Sequence, residues 1–477
     1  MPLPRDRAGK TYLIVTSEKG LAKSLDRAGI EGVIGCLKEI ADAVRKRGID
    51  TLLYVPDSKE LSGDLPFVDA PLTPAKLSDA IHSIEEKTYS RAAFTYVLIV
   101  GNGDVIPFWR LENPAADSDR NFPTDAPYGV TERGEDIDTL LVADRAVGRI
   151  PLISCLENLL KRTGAGASGK PFGLSAAVWR DQAERVFGLI ADAPLVTSPP
   201  LDLDSFKSGW LARDSILYFN VHGSQEERYW YGQDGLSYPR VLSPEIVARS
   251  EPEAALVLAE ACYGGLVEGK RPQDSIALQF LSKGVAAFIG SSAVAYGSPD
   301  ERLTEADLFA YLFLKRVLAG ESCGDAFRES KTDFAAEMLR RQGYLDGDDK
   351  KTLVEFNLYG DPSLILAHRG GGRGREEMIS DEIVDSIKQI VASRFPEMAG
   401  VEPDLGMETT ALDGALAKKV RSRRPLSEEK AKGQVIERRV FIASFKRLVT
   451  AGDRRVERVV RITFDERGEV LKIVTSK

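Results

Sequence analysis

The chain has 477 residues, of which 43% are hydrophobic and 29% charged, and its formal net charge at pH 7 is -8. This length allows about two to four domains with substantial cores. The negative charge argues against broad electrostatic binding to nucleic acid, and no apolar run approaches the ~20 residues of a membrane-spanning helix. We therefore expect a globular protein that contacts neither nucleic acid nor membrane.

The first ten residues are polar, and the first apolar run, at residues 12–15, is too short for a secretory leader. We expect a cytoplasmic protein, or a secreted one if a leader was removed. The cysteines are far apart in the sequence and lack metal-type spacing, so we expect free thiols and neither metal nor other cofactor. They are Cys36, Cys155, Cys262 and Cys323.

The chain has three histidines, which makes any histidine-dependent chemistry easy to assign. His82 falls in a polar helical segment, residues 79–86, and is expected at the surface. His368 adjoins a glycine-rich stretch and is expected to be exposed. His222, in contrast, follows a buried apolar strand.

Residues 1–165 alternate apolar strands with amphipathic helices. Strands are predicted at 12–16, 51–55, 96–100, 140–143 and 147–151. In the helix predicted at 33–47, apolar residues recur on one face, namely Val33, Leu37, Ile40, Ala41 and Val44. Continuous apolar strands between helices indicate a parallel sheet covered on both faces, and therefore an α/β sub-domain.

Residues 164–170 match the pattern G-x-x-x-x-G-K of a phosphate-binding loop. Pro171, however, stands where a serine or threonine should bind magnesium, and the predicted preceding element is a helix rather than a strand. We interpret the segment as a linker between two sub-domains.

Residues 172–368 repeat the α/β pattern, with strands predicted at 216–221, 256–261 and 285–290 and helices at 308–318 and 326–339. The basic, glycine-rich stretch 369–375 predicts the next domain boundary. Beyond it, residues 376–477 predict a small α+β domain. It has a helix at 383–391 and an antiparallel meander at 435–449, 456–464 and 469–474.

Two of the predicted strands end in reactive residues. His222 follows 216–221, and Cys262 follows 256–261, 40 residues later. In open parallel sheets, ligands bind at the carboxyl ends of the strands. The spacing suits one strand–helix–strand unit, so the two side chains should emerge at the same edge from neighbouring strands.

A thiolate and an imidazole are suited to acyl transfer, because one attacks a carbonyl and the other moves protons near neutral pH. Gly223 would let the backbone approach a substrate closely, while Gly264 and Gly265 permit a sharp turn. The backbone amides of Gly223 and Cys262 could face a developing oxyanion.

The order strand–His222–Gly223, then strand–Ala261–Cys262–x–Gly264–Gly265, resembles the caspase-like (clan CD) cysteine peptidases. The segments 96–107, 123–129, 146–151, 290–297 and 357–363 are similar to the gingipain branch, peptidase family C25. Each motif alone is weak, and their common order and spacing are specific. The resemblance covers residues 12–368.

This resemblance implies a caspase-like α/β/α sandwich in two sub-domains, 1–165 and 172–368, followed by the C-terminal α+β domain. It implies a cysteine endopeptidase that cleaves protein or peptide substrates through a Cys–His dyad without a cofactor. By motif match, Cys262 is the nucleophile and His222 the acid and base, and Gly223 and Cys262 form the oxyanion site.

Three further residues are candidates for substrate binding, namely Asp125, Ser291 and Ser292. Asp125 lies in a segment where the gingipain pattern has an acidic residue near the active site. It could hold a basic P1 side chain, which would favour arginine or lysine at P1, or it could orient His222. A plain turn role for Asp125 is an equal alternative.

Two other functions remain open from the sequence. One is a caspase-fold signalling or assembly module, whose protease activity a regulatory protein gates through residues 376–477. The other is a nucleotide-binding enzyme using residues 164–170, against which Pro171 argues.

Overall fold

The structure is a computed structural model of the chain. It describes residues 9–366, except 90–92, 133–135, 158–168, 192–194, 212–215, 251, 253 and 299–301. Beyond these it describes 395, 404–410, 438–451, 454–464 and 470–476. The predicted linker 369–375, His368, the predicted helix 383–391 and most of 164–170 lie outside these residues.

The strands are numbered in chain order. They are β1 Thr11–Val15, β2 Asp50–Tyr54, β3 Tyr96–Val100, β4 Trp109–Glu112, β5 Asn121–Thr124, β6 Ala146–Ile150, β7 Phe172–Ala176, β8 Val196–Ser198, β9 Ile216–Asn220, β10 Trp230–Tyr231, β11 Arg240–Leu242, β12 Leu256–Ala259, β13 Ala287–Ser291, β14 Tyr296–Gly297, β15 Phe356–Gly360, β16 Asp404–Thr410, β17 Arg438–Ala451, β18 Arg454–Phe464 and β19 Val470–Ser476.

The α-helices are Glu18–Leu21, Arg27–Lys46, Lys59–Ser62, Pro74–Thr88, Ile137–Leu140, Arg180–Phe187, Pro244–Ser250, Ile276–Ser282, Glu305–Leu318, Cys323–Gln342 and Gly347–Glu355. Short 3-10 turns occur at Ala126–Gly129, Ile153–Cys155, Ala177–Trp179, Ser208–Trp210 and Pro272–Asp274. None of the described helices is long and apolar enough to cross a membrane.

The sequence pattern explains the first long helix, Arg27–Lys46. Its N-cap is Asp26, whose side chain accepts a hydrogen bond from the amide of Gly29. The predicted apolar face is confirmed, because all five of its residues are buried against the sheet: Val33, Leu37, Ile40, Ala41 and Val44.

Ten strands form one central sheet in the order β2-β1-β3-β6-β15-β13-β12-β9-β7-β8. Every neighbouring pair is parallel except β13 and β15. The strands of the two predicted sub-domains thus share one sheet, joined where β6 pairs with β15. A domain boundary near 165–172 stays a prediction, because residues 158–168 are not described.

The antiparallel pair divides the sheet into two parallel blocks that run in opposite directions. The carboxyl ends of β9 and β12 therefore lie at one edge of the sheet, and those of β3 and β6 lie at the other. Any site formed after β9 and β12 lies at the opposite edge from the ends of β3 and β6.

Helices cover the sheet on both faces, as the continuous apolar strands predict. Helices Glu305–Leu318 and Cys323–Gln342 contribute to one apolar core, and Pro244–Ser250 and Ile276–Ser282 to another. A third core lies around β1, β3 and β6. The result is a three-layer α/β/α arrangement.

The predicted C-terminal meander is confirmed by β17, β18 and β19, which pair antiparallel in sequence. The C-terminal sheet also contains a strand from earlier in the chain, and a separate C-terminal α+β domain stays a prediction. This sheet has five strands in the order β14-β19-β18-β17-β16, and β14 comes from residues 172–368. The C-terminal segment therefore packs onto the rest of the protein through a shared sheet.

Two local predictions are wrong. Residues 140–143 are not a strand, because Asp136 caps a short helix, Ile137–Leu140, by accepting a hydrogen bond from the amide of Asp138. His82 is not at the surface, since it is only 8% exposed on helix Pro74–Thr88. That helix packs on the sheet with a wider buried face than its polar sequence indicates.

Candidate active site

His222 and Cys262 follow neighbouring strands at corresponding positions. Strands β9 and β12 pair in parallel, with Phe219 opposite Ala259. Each reactive residue comes three positions after its member of this pair. The expectation that the two strands are neighbours is confirmed, and their register places the two residues at the same edge of the sheet.

The backbones of the two segments touch directly after these strands. A β-carbon added to Gly223 would collide with the carbonyl oxygen of Cys262, so only glycine allows this approach. The chain then turns sharply at Tyr263, whose φ of 53° lies in the left-handed region that non-glycine residues seldom adopt. Such conformations cluster at functional sites because the surrounding structure must hold them.

The backbone amides near His222 and Cys262 differ in whether they donate a hydrogen bond to another backbone group. The amide of His222 donates to the carbonyl of Tyr231 at 2.9 Å, and the amide of Tyr263 donates to that of Ala293 at 2.8 Å. Within the described ranges, no backbone hydrogen bond uses the amide of Gly223 or Cys262. These two N–H groups are therefore the donors that an oxyanion could meet.

The hairpin β10–β11 holds His222 from one side. His222 and Tyr231 exchange two backbone hydrogen bonds of 2.9 Å, which fixes the position of the histidine after its strand. The imidazole lies between two aromatic rings, with centroid distances of 4.4 Å to Trp179 and 5.3 Å to Tyr238. It is 8% exposed.

Gln233 orients the imidazole. Its Oε1 lies 2.8 Å from Nε2 of His222. Its Nε2 donates to the carbonyl of Gly235 at 3.0 Å and to the hydroxyl of Tyr238 at 2.8 Å. Because a carbonyl can only accept, the Gln233 amide nitrogen must face Gly235, and its oxygen must accept from His222. The neutral histidine therefore carries its proton on Nε2, which makes Nδ1 the nitrogen that can act as a base.

Cys262 is almost closed off from solvent at 4% exposure, and its Sγ lies 3.5 Å from the carbonyl oxygen of Ala295. Burial, reinforced by the charge of Glu355, raises the pKa of the Cys262 thiol to about 12, despite the opposing effect of Lys351 and Arg458. In this state the sulfur is protonated at neutral pH, so it is a poor nucleophile.

A buried polar network lies behind the thiol. The ammonium of Lys351 is 2.7 Å from both Asp117 and Asp119. Burial alone would lower the pKa of Lys351, and the surrounding carboxylates, including Glu355, raise it above its ordinary value. Asp119 also accepts from the hydroxyl of Tyr263 at 2.6 Å, so the network holds the turn that follows Cys262.

The structure gives Asp125 a partner within the protein. Arg149 donates to both of its carboxylate oxygens, at 2.7 and 2.6 Å. The guanidinium also donates to the carbonyls of Gly101 and Ile106, and it lies 3.8 Å from the ring centroid of Phe108. Both charged groups of the pair are buried. Asp125 is therefore half of a buried ion pair, and its contact with a substrate cation or with His222 stays a prediction.

The other two substrate-binding candidates use their hydroxyls within the protein. Ser291 donates to the carbonyl of Ala293 at 3.0 Å, and Ser292 donates to the carbonyl of Pro123 at 2.5 Å. Both residues are buried. In this state they fix the turn between β13 and β14, and a direct contact with substrate stays a prediction.

Sequence reasoning missed Gln233, Trp179 and Tyr238, which surround the imidazole. No motif marks them, since the hairpin and the turn that carry them are brought to His222 only by folding. All four cysteines are free thiols, and Cys323 begins helix Cys323–Gln342. In the part of the chain that the structure describes, no three acidic, histidine or cysteine residues are grouped as a metal ion would require.

Comparisons with known proteins agree with this geometry. Residues 215–367 match the model of peptidase family C25. A solved structure described as "Structure of Protease" is similar over 98% of this chain and 97% of its own, with a TM-score of 0.51 and 11% sequence identity. At that identity the likeness shows the fold alone. A search of the curated proteins found no match.

The predicted caspase-like α/β/α fold is confirmed by the mainly parallel sheet and by the similar protease structure. The family match begins at the start of β9 and ends after β15, so it contains both His222 and Cys262. On these grounds the chain is a cysteine peptidase, and its residues 215–367 are similar to family C25, the gingipain family of clan CD.

Proposed function

We propose that His222 and Cys262 form the catalytic dyad of this peptidase, and that it prefers arginine or lysine at P1. The observation that carries the dyad is the register of β9 and β12, in which the two residues occupy corresponding positions after neighbouring strands. No other histidine of the described chain follows a strand at this edge of the sheet.

Each group has a role in hydrolysis of a peptide bond. Nδ1 of His222 takes the thiol proton, and Sγ of Cys262 attacks the carbonyl carbon of the substrate. The amides of Gly223 and Cys262 donate to the oxyanion of the tetrahedral intermediate. His222 then returns the proton to the leaving amine, which leaves a thioester on Cys262. Water deprotonated by His222 hydrolyses the thioester and restores the thiol.

The P1 preference is supported by a guanidinium that already lies near the dyad. Arg458 has its guanidinium carbon 5.3 Å from the ring centroid of Trp179, and that ring packs on His222. An aromatic face attracts cations by its quadrupole. The wall beside the imidazole can therefore hold a basic side chain, whereas Asp125 is paired with Arg149.

The dyad is tested by cleavage of an unfolded protein substrate. Cys262→Ala should abolish cleavage, and His222→Ala should lower turnover by roughly 10²–10⁴-fold, the usual contribution of a general acid and base. Cys155→Ala removes a half-buried thiol elsewhere and is the matched control. Full cleavage by Cys262→Ala would remove the residue from the mechanism.

The P1 preference needs matched peptides that differ only in charge. Peptides with arginine at P1 should be cleaved faster than the same peptides with citrulline, which has nearly the same shape and no charge. Trp179→Leu should reduce this difference more than Trp179→Phe, which keeps an aromatic face. Equal rates on arginine and citrulline peptides would exclude the basic preference.

A further inference from the structure

The short strand β14 lies directly beside the nucleophile. Ala295, whose carbonyl contacts the Sγ of Cys262, is the residue immediately before this strand. Strand β14 pairs antiparallel with β19, with Tyr296 opposite Ser476 and Gly297 opposite Thr475. The strand edge next to the thiol is thus occupied by the C-terminal segment of the same chain.

Extended peptides commonly bind proteins by adding a strand to an available sheet edge, where main-chain hydrogen bonds provide affinity. A substrate paired along β14 would bring its backbone past the Sγ of Cys262. Because β19 already uses that edge, a peptide cannot pair with β14 until β19 leaves. The β14–β19 pairing would therefore exclude a peptide that binds by strand addition at this edge.

Other residues of the C-terminal sheet pack against Cys262 and against residues around His222. Val459 on β18 and Val474 on β19 pack in one apolar cluster with Cys262 and Tyr296. Val449 on β17 packs against Tyr231 and Tyr238. Tyr231 exchanges backbone hydrogen bonds with His222, and the ring of Tyr238 packs on the imidazole. Arg458 lies over Trp179. This cover contributes to the low exposure of Cys262, whose burial raises the pKa of its thiol.

Two buried cations hold the sheet on the peptidase. Lys472 on β19 lies 2.5 Å from Glu305, 2.8 Å from Asp346 and 3.1 Å from Asp349. Each of these carboxylates belongs to the part of the chain before residue 366. Burial opposes the charge of Lys472, and the carboxylates outweigh it and raise its pKa well above the ordinary value.

Arg461 on β18 makes the second attachment. Its guanidinium pairs with Asp348 and donates to the hydroxyl of Tyr296 at 3.0 Å. It also lies 3.7 Å from Asp117, which belongs to the network behind Cys262. Buried ion pairs are costly to break from one side, because the remaining charge is left without compensation. These ion pairs therefore attach the C-terminal sheet firmly to the rest of the protein. Water could solvate the same charged groups if the sheet were displaced.

We propose that the C-terminal sheet, β16–β19, is an internal inhibitor that occupies the peptide-binding edge of β14 and covers the dyad. The peptidase becomes active when this sheet is displaced. The inference rests on the proposed function, since it assumes that Cys262 is the nucleophile. It assigns to the C-terminal segment a role in switching the enzyme rather than in substrate turnover.

The first test measures how fast a small alkylating reagent modifies Cys262 in the full chain, read at that residue by mass spectrometry. Lys472→Ala removes one of the two buried cations that attach the sheet. The alkylation rate should rise by at least about tenfold, since each unit by which the thiol pKa falls gives tenfold more thiolate. Arg447→Ala removes a cation from an exposed position of the same sheet, so its rate should equal that of the wild type. Equal rates in a folded Lys472→Ala protein would overturn the proposal.

A reversible lock tests the same idea without weakening the fold. Gly297 and Thr475 are paired across β14 and β19, at a spacing of ~4.5–5.5 Å between Cα atoms that a disulfide accepts. The oxidised Gly297→Cys/Thr475→Cys protein should alkylate at Cys262 at least about tenfold more slowly than its reduced form. Alkylation at the same rate in both forms would show that the sheet does not control access.

The two proposals fail in different ways. If Lys472→Ala speeds alkylation of Cys262 but neither it nor the wild type cleaves any substrate, the cover is real and the proposed catalysis is wrong. If cleavage depends on Cys262 and the oxidised lock cleaves as fast as the reduced protein, the catalysis stands and the internal inhibitor is wrong.

Discussion

Oε1 of Gln233 lies 2.8 Å from Nε2 of His222, and the amide group is turned so that its oxygen must accept. This contact distinguishes the two imidazole nitrogens, since Nε2 holds the proton of the neutral ring, and in the proposed mechanism Nδ1 exchanges a proton with the thiol. Gln233 is thus a positioning residue that acts through His222.

Gln233→Glu should move the acid limb of the pH profile of kcat/KM upward by about one unit. A carboxylate beside the imidazole favours its protonated form, so a higher pH is needed to obtain the neutral base. The measurement is the pH dependence of peptide cleavage, compared with Gln279→Glu, a half-buried position on helix Ile276–Ser282. An acid limb that stays in place would show that Gln233 does not control the protonation of His222.

Gly223→Ala should lower kcat/KM by about 10²-fold or more, because its β-carbon would meet the carbonyl oxygen of Cys262 and displace the reacting groups. Gly209→Ala is the control, since nothing lies within 4 Å of a β-carbon at that exposed position. Cleavage rates and thermal unfolding are measured for both. Wild-type activity in Gly223→Ala would mean that the two backbones can separate without cost to catalysis.

Asp125→Ala should lower the free energy of unfolding by about 3–5 kcal/mol, because it leaves the buried guanidinium of Arg149 without its carboxylate. Adding Arg149→Met should recover part of the loss, as expected for a coupled pair. The P1 preference of the folded fraction should not change. A loss of the preference for arginine in the peptide assay would show that Asp125 contacts the P1 side chain.

Glu355→Gln should stabilise the protein more at pH 8 than at pH 5. Burial and the nearby carboxylates Asp117 and Asp119 raise the pKa of Glu355 to about 8, against the opposing charge of Lys351. An unfolded glutamate has a pKa of about 4.3. Between these values the native state holds the extra proton, so wild-type stability falls as pH rises towards 8.

Glutamine cannot titrate, so the gain from Glu355→Gln should grow across that window. Urea unfolding at both pH values measures it, with the exposed Glu39→Gln as the control. A difference between Glu355→Gln and the wild type that is the same at pH 5 and pH 8 would contradict the raised pKa.

The sequence alone was sufficient for the features that depend on local pattern. Apolar runs predicted β3 at its observed bounds and β9 and β12 within two residues, because strands buried on both faces must be continuously apolar. The spacing of His222 and Cys262 predicted neighbouring strands, and the constant offset of 40 residues in the β9–β12 register is the reason that it succeeded.

Other features are decided by contacts between segments that are far apart in the chain. The sequence at Asp125 leaves open a contact with a P1 side chain, orientation of His222 or a turn role, and the ion pair with Arg149 on β6 is visible only in the structure. Gln233 carries no local signal either, because its role follows from a hairpin that folds back onto His222.

The C-terminal segment shows the same division most clearly. Its alternating residues determined that β17, β18 and β19 form a meander, since hairpin pairing is a local property. The position of that meander on the rest of the protein was not determined by local sequence. In the sequence, Lys472 and Arg461 look like ordinary surface charges. The tertiary structure brings Asp346 and Asp348 to them, and these ion pairs attach the sheet that packs over Cys262. Charge pairing across such a distance in the chain leaves no pattern in the sequence, because it depends on positions in space rather than on spacing along the chain.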